Sequence, residues 1–388
     1  MKDIRTRPRR LVSIAHSYCV ALNRRLAHEM AVAGAGRWEV TAVAPSFFHG
    51  DMRPIRLEMS HDEACRLESV PAHFSKHIHF MMYGGRLREV LRQRWDLIHC
   101  WEEPYILAGG QVAMWADKRA ALVYATFQNI EKQYPLPFNR IEKHSMNRAA
   151  GWIAFGQTIE QTLGKRPGYC ERPSRVIPLG VDFDKFHPDA KVKERTLGTL
   201  GWSAPEPPVV GYLGRFVAEK GLDMLTGALD QIAVPWRALF VGAGPLEDQL
   251  REWASRYTDR VKIVTGVKHA DVPQYLNAMD VMCAPSQTTP FWREQLGRML
   301  IEAFACGVPV VASDSGEIPH VIRDAGLIVS EKDETAWAQA IASLLEDPSR
   351  RAEMSKHGLE HARAHYSWPR IARQHLEFFD QLLEGRTH

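Results

Sequence analysis

Two carboxylates, Glu294 and Glu302, stand with seven residues between them in the stretch 290–312, PFWREQLGRMLIEAFACGVPVVA. Met299, Leu300, Ala303 and Phe304 recur at helical spacing, which predicts a helix over 296–305. Cys306-Gly307 stops it, Pro309 stands just beyond, and Val308 to Val311 reads as a buried parallel strand. Eight positions at about 100° each make two turns plus about 80°, so two helical glutamates would not share a face. The spacing suits Glu294 on the loop entering the helix and Glu302 on the helix itself. The N–H groups of Leu296, Gly297 and Arg298 would then point out between the carboxylates, and such a helix N-terminus attracts anions. Gly297 would let the backbone approach a ligand closely. The group that fits has hydroxyls at both ends and phosphates in the middle.

A pair of cations points the same way. Gly214-Arg215-Phe216-Val217-Ala218-Glu219-Lys220-Gly221 is fed by a strand and left by a helix. Arg215 and Lys220 are thereby set beside helix N–H groups, as a diphosphate requires, above all one departing with negative charge. Val241-Gly242-Ala243-Gly244-Pro245 reads as a turn ending the next strand. Thr265-Gly266-Val267, Ala284-Pro285-Ser286 and Ser315-Gly316-Glu317-Ile318-Pro319 complete the set of loop segments.

In these motifs the chain resembles retaining glycosyltransferases of the GT-B fold, family four (glycosyl transferases group 1). Residues 290–312 resemble that family's E-x7-E region, and residues 214–221 match its GR-x4-KG signature in full. The resemblance implies a nucleotide diphosphate sugar as donor substrate. It implies catalytic roles for Arg215, Lys220 and Glu294, the two cations on the diphosphate and Glu294 on sugar hydroxyls. Glu302 would hold the ribose, and a carboxylate accepts two hydroxyls well. Backbone groups of Gln295, Leu296 and Gly297 would support sugar and diphosphate. Gly214, Gly242, Gly244 and Val267 would line the nucleotide. Arg298 stands where many relatives have an apolar residue, either as a cation near the phosphates or paired with an acid on the surface.

The first half matches the family less closely. Where the family has a glycine pair after its first strand, this chain reads Ile14-Ala15-His16-Ser17, which makes His16 and Ser17 acceptor-side candidates. Asp96-Leu97-Ile98-His99 matches a D-x-I-H strand end, so His99 is either a cleft histidine or a buried one satisfied by backbone. Phe127-Gln128-Asn129 replaces a frequent histidine, and Gln128 is the fourth candidate. Pro178-Leu179-Gly180-Val181-Asp182 matches a turn that is mainly structural.

The elements that must position these residues alternate β and α twice, which predicts two parallel sheets covered by helices. In the first half, strands are expected at 11–15, 40–44, 97–100, 121–126, 151–155 and 175–178. Helices are expected at 19–33, 85–94, 138–149 and from 104 to 115; residues 45–82 give no clear reading. Aromatic and basic residues near 80–94 and 127–140 line an acceptor groove or form core and solvated helix. Residues 189–207 read as a linker. In the second half strands are expected at 209–213, 238–241, 262–265, 280–284, 308–312 and 327–329. The fold class is α/β: two Rossmann-like doubly wound domains facing a central cleft, as in GT-B, with a helix over 366–383 returning to the first domain. The domains are residues 1–190 (acceptor), 191–365 (nucleotide sugar) and 366–388 (returning helix).

A net charge of +3 argues against a nucleic-acid partner. The six cysteines show no paired spacing, which suits buried thiols in a reducing compartment. With no signal-peptide pattern and no apolar run of about 18 residues, a cytoplasmic protein is expected. The basic first ten residues, MKDIRTRPRR, keep open a solvated tail or peripheral contact with the inner face of the membrane. No Asp-x-Asp motif lies at a strand end, so neither a metal nor a cofactor is expected. The acceptor class is a sugar, a lipid-linked intermediate or a small molecule; the oligomeric state is not set by the sequence. The competing readings are a nucleotide-sugar epimerase of the same fold and a non-catalytic nucleotide-sugar binding protein. A phosphorylase of the glycogen type would need a much longer chain.

Overall fold

The computed structural model describes residues 7–50, 54–60, 62–202 and 207–385. It forms two compact units, one of described residues up to Pro178 and from Trp368 onward, the other Leu179–Ser367. The division thus falls at 178/179, twelve residues before the expected boundary at 190/191.

The first unit is built on seven parallel strands: β1 (Arg9–Ile14), β2 (Trp38–Pro45), β3 (Arg66–Val70), β4 (Leu97–Cys100), β5 (Ala121–Thr126), β6 (Gly151–Ala154) and β7 (Ser174–Val176). Their order is β7-β6-β5-β4-β1-β2-β3. Parallel sheets covered on both faces read as continuous apolar runs, and β4, β5 and β6 are buried at every position. The described residues between 45 and 83 supply the edge strand β3 and two short antiparallel pairs, Phe47–His49 with Pro54–Arg56 and Ala72–His73 with Met82–Tyr83.

The expected helix over 19–33 is shorter. Two 3-10 turns, His16–Cys19 and Ala21–Arg24, precede an α-helix at Arg25–Ala33. Val20 is extended between the turns, and the buried Arg24 guanidinium donates to the Tyr18 and Glu58 carbonyls and pairs with Glu63. Satisfying a buried guanidinium this way holds the chain out of a continuous helix. The basic N-terminus is also structural where described: Arg7 pairs with Asp96 at 2.8 Å, Arg9 with Asp380, and Arg10 lies 4.5 Å from the Trp95 ring centre. Residues 1–6 of that stretch lie outside the described residues.

The helix Trp368–Glu384 belongs to this unit, its buried residues including Ile371, His375 and Phe379. His99 is 0% exposed beneath it, with its ring 5.5 Å from those of His375 and Phe379. Its Nδ1 meets the Ser13 hydroxyl at 2.9 Å, and burial with the His375 ring nearby pushes its pKa well below the usual value. This removes His99 from the acceptor-side candidates: β4 is central, and this position faces core.

The second unit carries β8 (Val209–Leu213), β9 (Arg237–Val241), β10 (Val261–Val264), β11 (Val281–Ala284), β12 (Val310–Ser313) and β13 (Leu327–Val329), in the order β10-β9-β8-β11-β12-β13, all parallel. Residues 189–202 are not a linker. Asp189 caps a helix, Ala190–Thr199, by accepting from the Lys191 and Val192 N–H groups, and Leu197 and Trp202 join the core. Residues 203–206 lie outside the described residues. Of the six cysteines only Cys170 is exposed.

The buried histidines give the first unit an acid limit. Burial lowers the pKa of His375 from 6.5 to about 4. The unfolded chain therefore takes the proton first, and this contribution is complete above about pH 6.5 and lost as pH falls toward 4. Urea titrations should show stability falling by up to about 1.4 kcal/mol per pH unit from this group across that window. His375→Leu should flatten that part of the slope; an unchanged slope would contradict a neutral buried His375.

Candidate active site

The strand order reverses at the centre of the second sheet. The chain leaves β8 toward β9 and β10 and returns to β11 on the other side, so the loops after β8 and β11 diverge at neighbouring strand ends. Ligands bind at such switch points. The loop after β8 holds Arg215 and Lys220, and the loop after β11 leads to Glu294 and the helix Arg298–Ala305.

Close approach fixes these loops. Gly221 has φ 69°, and a Cβ there would lie 1.9 Å from the Pro285 carbonyl oxygen. The Gln287 N–H donates to the Glu219 carbonyl at 2.9 Å, tying one loop to the other. A Cβ on Gly242 would lie 1.8 Å from the Gly214 carbonyl oxygen, and one on Gly244 2.4 Å from that of Phe216. Phe216 N–H donates to Ala243 O at 2.9 Å. Gly214, Gly242 and Gly244 thus pack the turn after β9 against the Arg215 loop. Val267, half-buried, packs on the core below.

Glu294 is the hub. It is 7% exposed, and its Oε2 accepts from Lys220 Nζ at 2.5 Å and from Ser286 Oγ at 2.9 Å. Burial alone would push its carboxyl up. The Lys220 charge, with hydrogen bonds from Lys220, Ser286 and the Gln295 N–H, outweighs this and holds it below the usual carboxylate range. The Glu294 carbonyl accepts from the Glu317 N–H at 2.9 Å, and a Cβ on Gly316 would lie 2.1 Å from the same oxygen. Lys220 Nζ also lies 4.8 Å from the centre of the Trp292 ring. Trp292 ends a tight turn closed by Thr289, whose exposed tip is Phe291.

The helix starts at Arg298, two residues later than expected, because Gly297 is left-handed (φ 71°) and a Cβ there would lie 2.6 Å from Leu300 Cδ1. Gly297 is therefore required by the turn itself. The Leu296 side chain is in the core. The Gln295 N–H serves Glu294, which removes it from the group expected to face a ligand. Glu302, 5% exposed, lies on the helix as expected. Its Oε1 meets His269 Nε2 at 2.8 Å and Arg298 Nε at 3.4 Å. Arg298 thus pairs with an acid, but a buried one. Arg215 is half-exposed and 3.6 Å from Glu219.

In the first unit, β1 and β4 adjoin at the corresponding reversal. His16, after β1, gives its backbone N–H to Glu102 Oε1 at 2.5 Å, and its Nδ1 meets Oε2 at 2.7 Å. Tyr83 also donates to that buried carboxylate, at 2.5 Å. The Ser17 carbonyl accepts from Asn23 Nδ2 at 3.0 Å. Gln128 is buried, and its side-chain amide donates to the Ile130 carbonyl at 2.5 Å, so it braces its own loop. Glu103 accepts from the Thr126 hydroxyl at 2.6 Å and the Phe127 N–H at 2.8 Å; burial, against these bonds, pushes its pKa up to about 7.

Ser286 lies in the loop segment Ala284-Pro285-Ser286 named from the sequence, whereas sequence reasoning missed His269, Trp292 and Glu102 as site residues. Each reaches its partner through the fold, across distances that no local spacing encodes. The one available signal was Trp292, two positions before Glu294. Among the described residues no group of three or more His, Cys, Asp or Glu is placed to hold a metal ion, and no helix is long and apolar enough to cross a membrane.

Comparison with known proteins accords with this geometry. Residues 202–361 match the family of glycosyl transferases group 1, and residues 23–185 match Glycosyltransferase Family 4. A GDP-mannose-dependent monoacylated alpha-(1-6)-phosphatidylinositol monomannoside mannosyltransferase of Corynebacterium glutamicum is 35% identical over 199 residues, 50% of this chain and 52% of that one. This chain thus spans about half the length of that relative. A lipopolysaccharide core biosynthesis mannosyltransferase of Rhizobium meliloti is 27% identical over 311 residues, 74% of this chain and 84% of the other. The sucrose-phosphate synthase structure from Thermosynechococcus elongatus has a TM-score of 0.73 at 24% identity, over 97% of this chain and 100% of that one. The Anabaena HepE structure in complex with UDP and glucose has a TM-score of 0.72 at 21% identity, over 96% and 100%. At these identities the structures show a shared fold.

The Lys220–Glu294 pair is testable without a ligand. Lys220→Met should cost roughly 3–5 kcal/mol by leaving a buried carboxylate unpaired. Adding Glu294→Gln should restore most of that, since the amide buries no charge. A double-mutant cycle from urea denaturation measures the coupling. Strictly additive losses would contradict the pairing.

Proposed function

Because the chain belongs to the group 1, family 4 glycosyltransferases of the GT-B fold, we propose that it moves a hexose from a nucleotide diphosphate sugar to an acceptor hydroxyl with retention at the anomeric carbon. The observation that carries this reading is the Lys220–Glu294 contact at 2.5 Å at the second sheet's switch point. An ammonium suits a diphosphate, and a carboxylate suits sugar hydroxyls. Where the two touch, the bond between sugar and phosphate has a natural seat.

In this reading Lys220 and Arg215 stabilise the departing diphosphate, and Glu302 takes ribose hydroxyls. Glu294 orients the hexose. The acceptor oxygen bonds to the anomeric carbon as the bond from that carbon to the phosphate oxygen breaks. The acceptor proton passes to that phosphate oxygen, and a nucleoside diphosphate leaves. The protein's part is orientation and electrostatic stabilisation, supplied by fixed cations rather than by a metal. His16, half-buried and braced on Glu102, stays an acceptor-side candidate of the first unit in this reading. The GDP-mannose-dependent relative makes GDP-mannose the first donor to test, and the names of the mannosyltransferase relatives favour a glycolipid or polysaccharide acceptor.

Calorimetry with guanosine, uridine and adenosine diphosphates should find one that binds the wild type. Glu302→Ala should weaken it by about tenfold or more, the scale of a hydrogen bond to a charged group. No binding by any of the three, or equal binding by Glu302→Ala, would remove the donor-site reading. With donor and acceptor in hand, Lys220→Ala should lower turnover by about 100- to 1,000-fold, as loss of a transition-state charge partner does. Turnover near the wild-type rate would exclude Lys220 from the chemistry.

A further inference from the structure

Glu302 is held more firmly than its place in a helix accounts for. Its Oε1 is occupied by His269 Nε2 at 2.8 Å and approached by Arg298 Nε at 3.4 Å, while Oε2 has no hydrogen bond among the described residues. The two partners come from opposite sides of the switch point. Arg298 is one turn before Glu302 on the same helix, whereas His269 opens the short 3-10 turn His269–Asp271 that follows β10. The His269 ring also rests 5.5 Å from that of Phe186, and its side chain remains 38% exposed.

A carboxylate on a helix can rotate about its own side-chain bonds, and each rotamer presents a different oxygen to a ligand. A donor on Oε1 ends that freedom. Whichever form the imidazole takes, Nε2 must carry the proton to meet an ionised carboxylate, so His269 acts here as a donor. We propose that His269 is a positioning residue for nucleoside recognition: by holding Oε1 it turns Oε2 to the ribose, so that hydroxyl reading depends on a residue from the β10 loop. Arg298 offsets the charge of the same buried carboxylate. This rests on the donor-site reading given above, and extends it from one ribose-binding residue to a pair with divided roles.

The test is a cycle between protein and ligand, run on the full chain by calorimetry. Guanosine and uridine diphosphates are each compared with their 2′,3′-dideoxy analogues, for the wild type, His269→Leu and His269→Gln. The wild type should prefer the ribonucleotide. His269→Leu should weaken the ribonucleotide by about tenfold, as expected for loss of an ordered hydrogen bond to a charged group, and leave the dideoxy analogue within about twofold. His269→Gln, whose side-chain amide can also donate to Oε1, should keep most of the preference. Equal weakening of both ligands would mean that His269 is merely structural, and no change in either would mean that it plays no part; each result overturns the proposal. Should His269→Leu misfold by circular dichroism, His269→Ala takes its place under the same criteria. A wild type that binds both ligands equally would instead remove ribose reading by Glu302, a failure of the donor-site reading that is distinct from any result at His269.

Discussion

A buried ion pair organises the second unit. Lys220 arrives on the loop after β8, Glu294 on the loop after β11, and the two meet at 2.5 Å at the point where the sheet reverses its strand order. Neither group is stable there alone. A buried carboxylate without a partner is costly, and an ammonium facing apolar surroundings loses hydration with nothing in return. Together, with the Ser286 hydroxyl and the Trp292 ring beside them, they are satisfied. Such a pair adds little net stability against an apolar substitute. Its value is geometric: it sets a cation and a carboxylate side by side at a strand edge.

The glycines follow from that requirement. Gly221, Gly242, Gly297 and Gly316 each stand where a Cβ would strike a neighbouring atom, and three of the four also have positive φ. They let several loops stack at one sheet edge close enough for Lys220 and Glu294 to touch. The same economy appears at the edge of the first sheet, where Glu102 gathers the His16 N–H, the His16 ring and the Tyr83 hydroxyl. In each sheet one buried carboxylate collects donors from separate loops.

Much of this was legible in the sequence, and unevenly so. Alternating apolar runs announced the central strands because a doubly covered parallel strand admits little else. The placement of Glu294 before the helix and Glu302 on it followed from helical arithmetic alone. What escaped was set by tertiary packing. The helix Ala190–Thr199 hid in a polar stretch because its stability comes from the Asp189 cap and contacts of Leu197 with the core, and charged composition masked both. The break at Val20 depends on a buried Arg24 whose acceptors lie up to 39 residues away. His99 satisfied a strand-end motif yet faces the terminal helix, 276 residues later in the chain at His375. Arg298 was read as a phosphate cation or a surface partner, and it serves a buried carboxylate.

The central claim is that the edge formed by the loops after β8 and β11 holds a nucleoside diphosphate. Hydrogen exchange of the full chain, with and without saturating nucleoside diphosphate, tests this most directly because it reports location as well as binding. The account predicts slowed exchange in residues 214–221, 265–269 and 295–302, with the sheet core of the second unit little changed. Protection confined to the first unit, or spread evenly over the chain with none concentrated in those three segments, would contradict it.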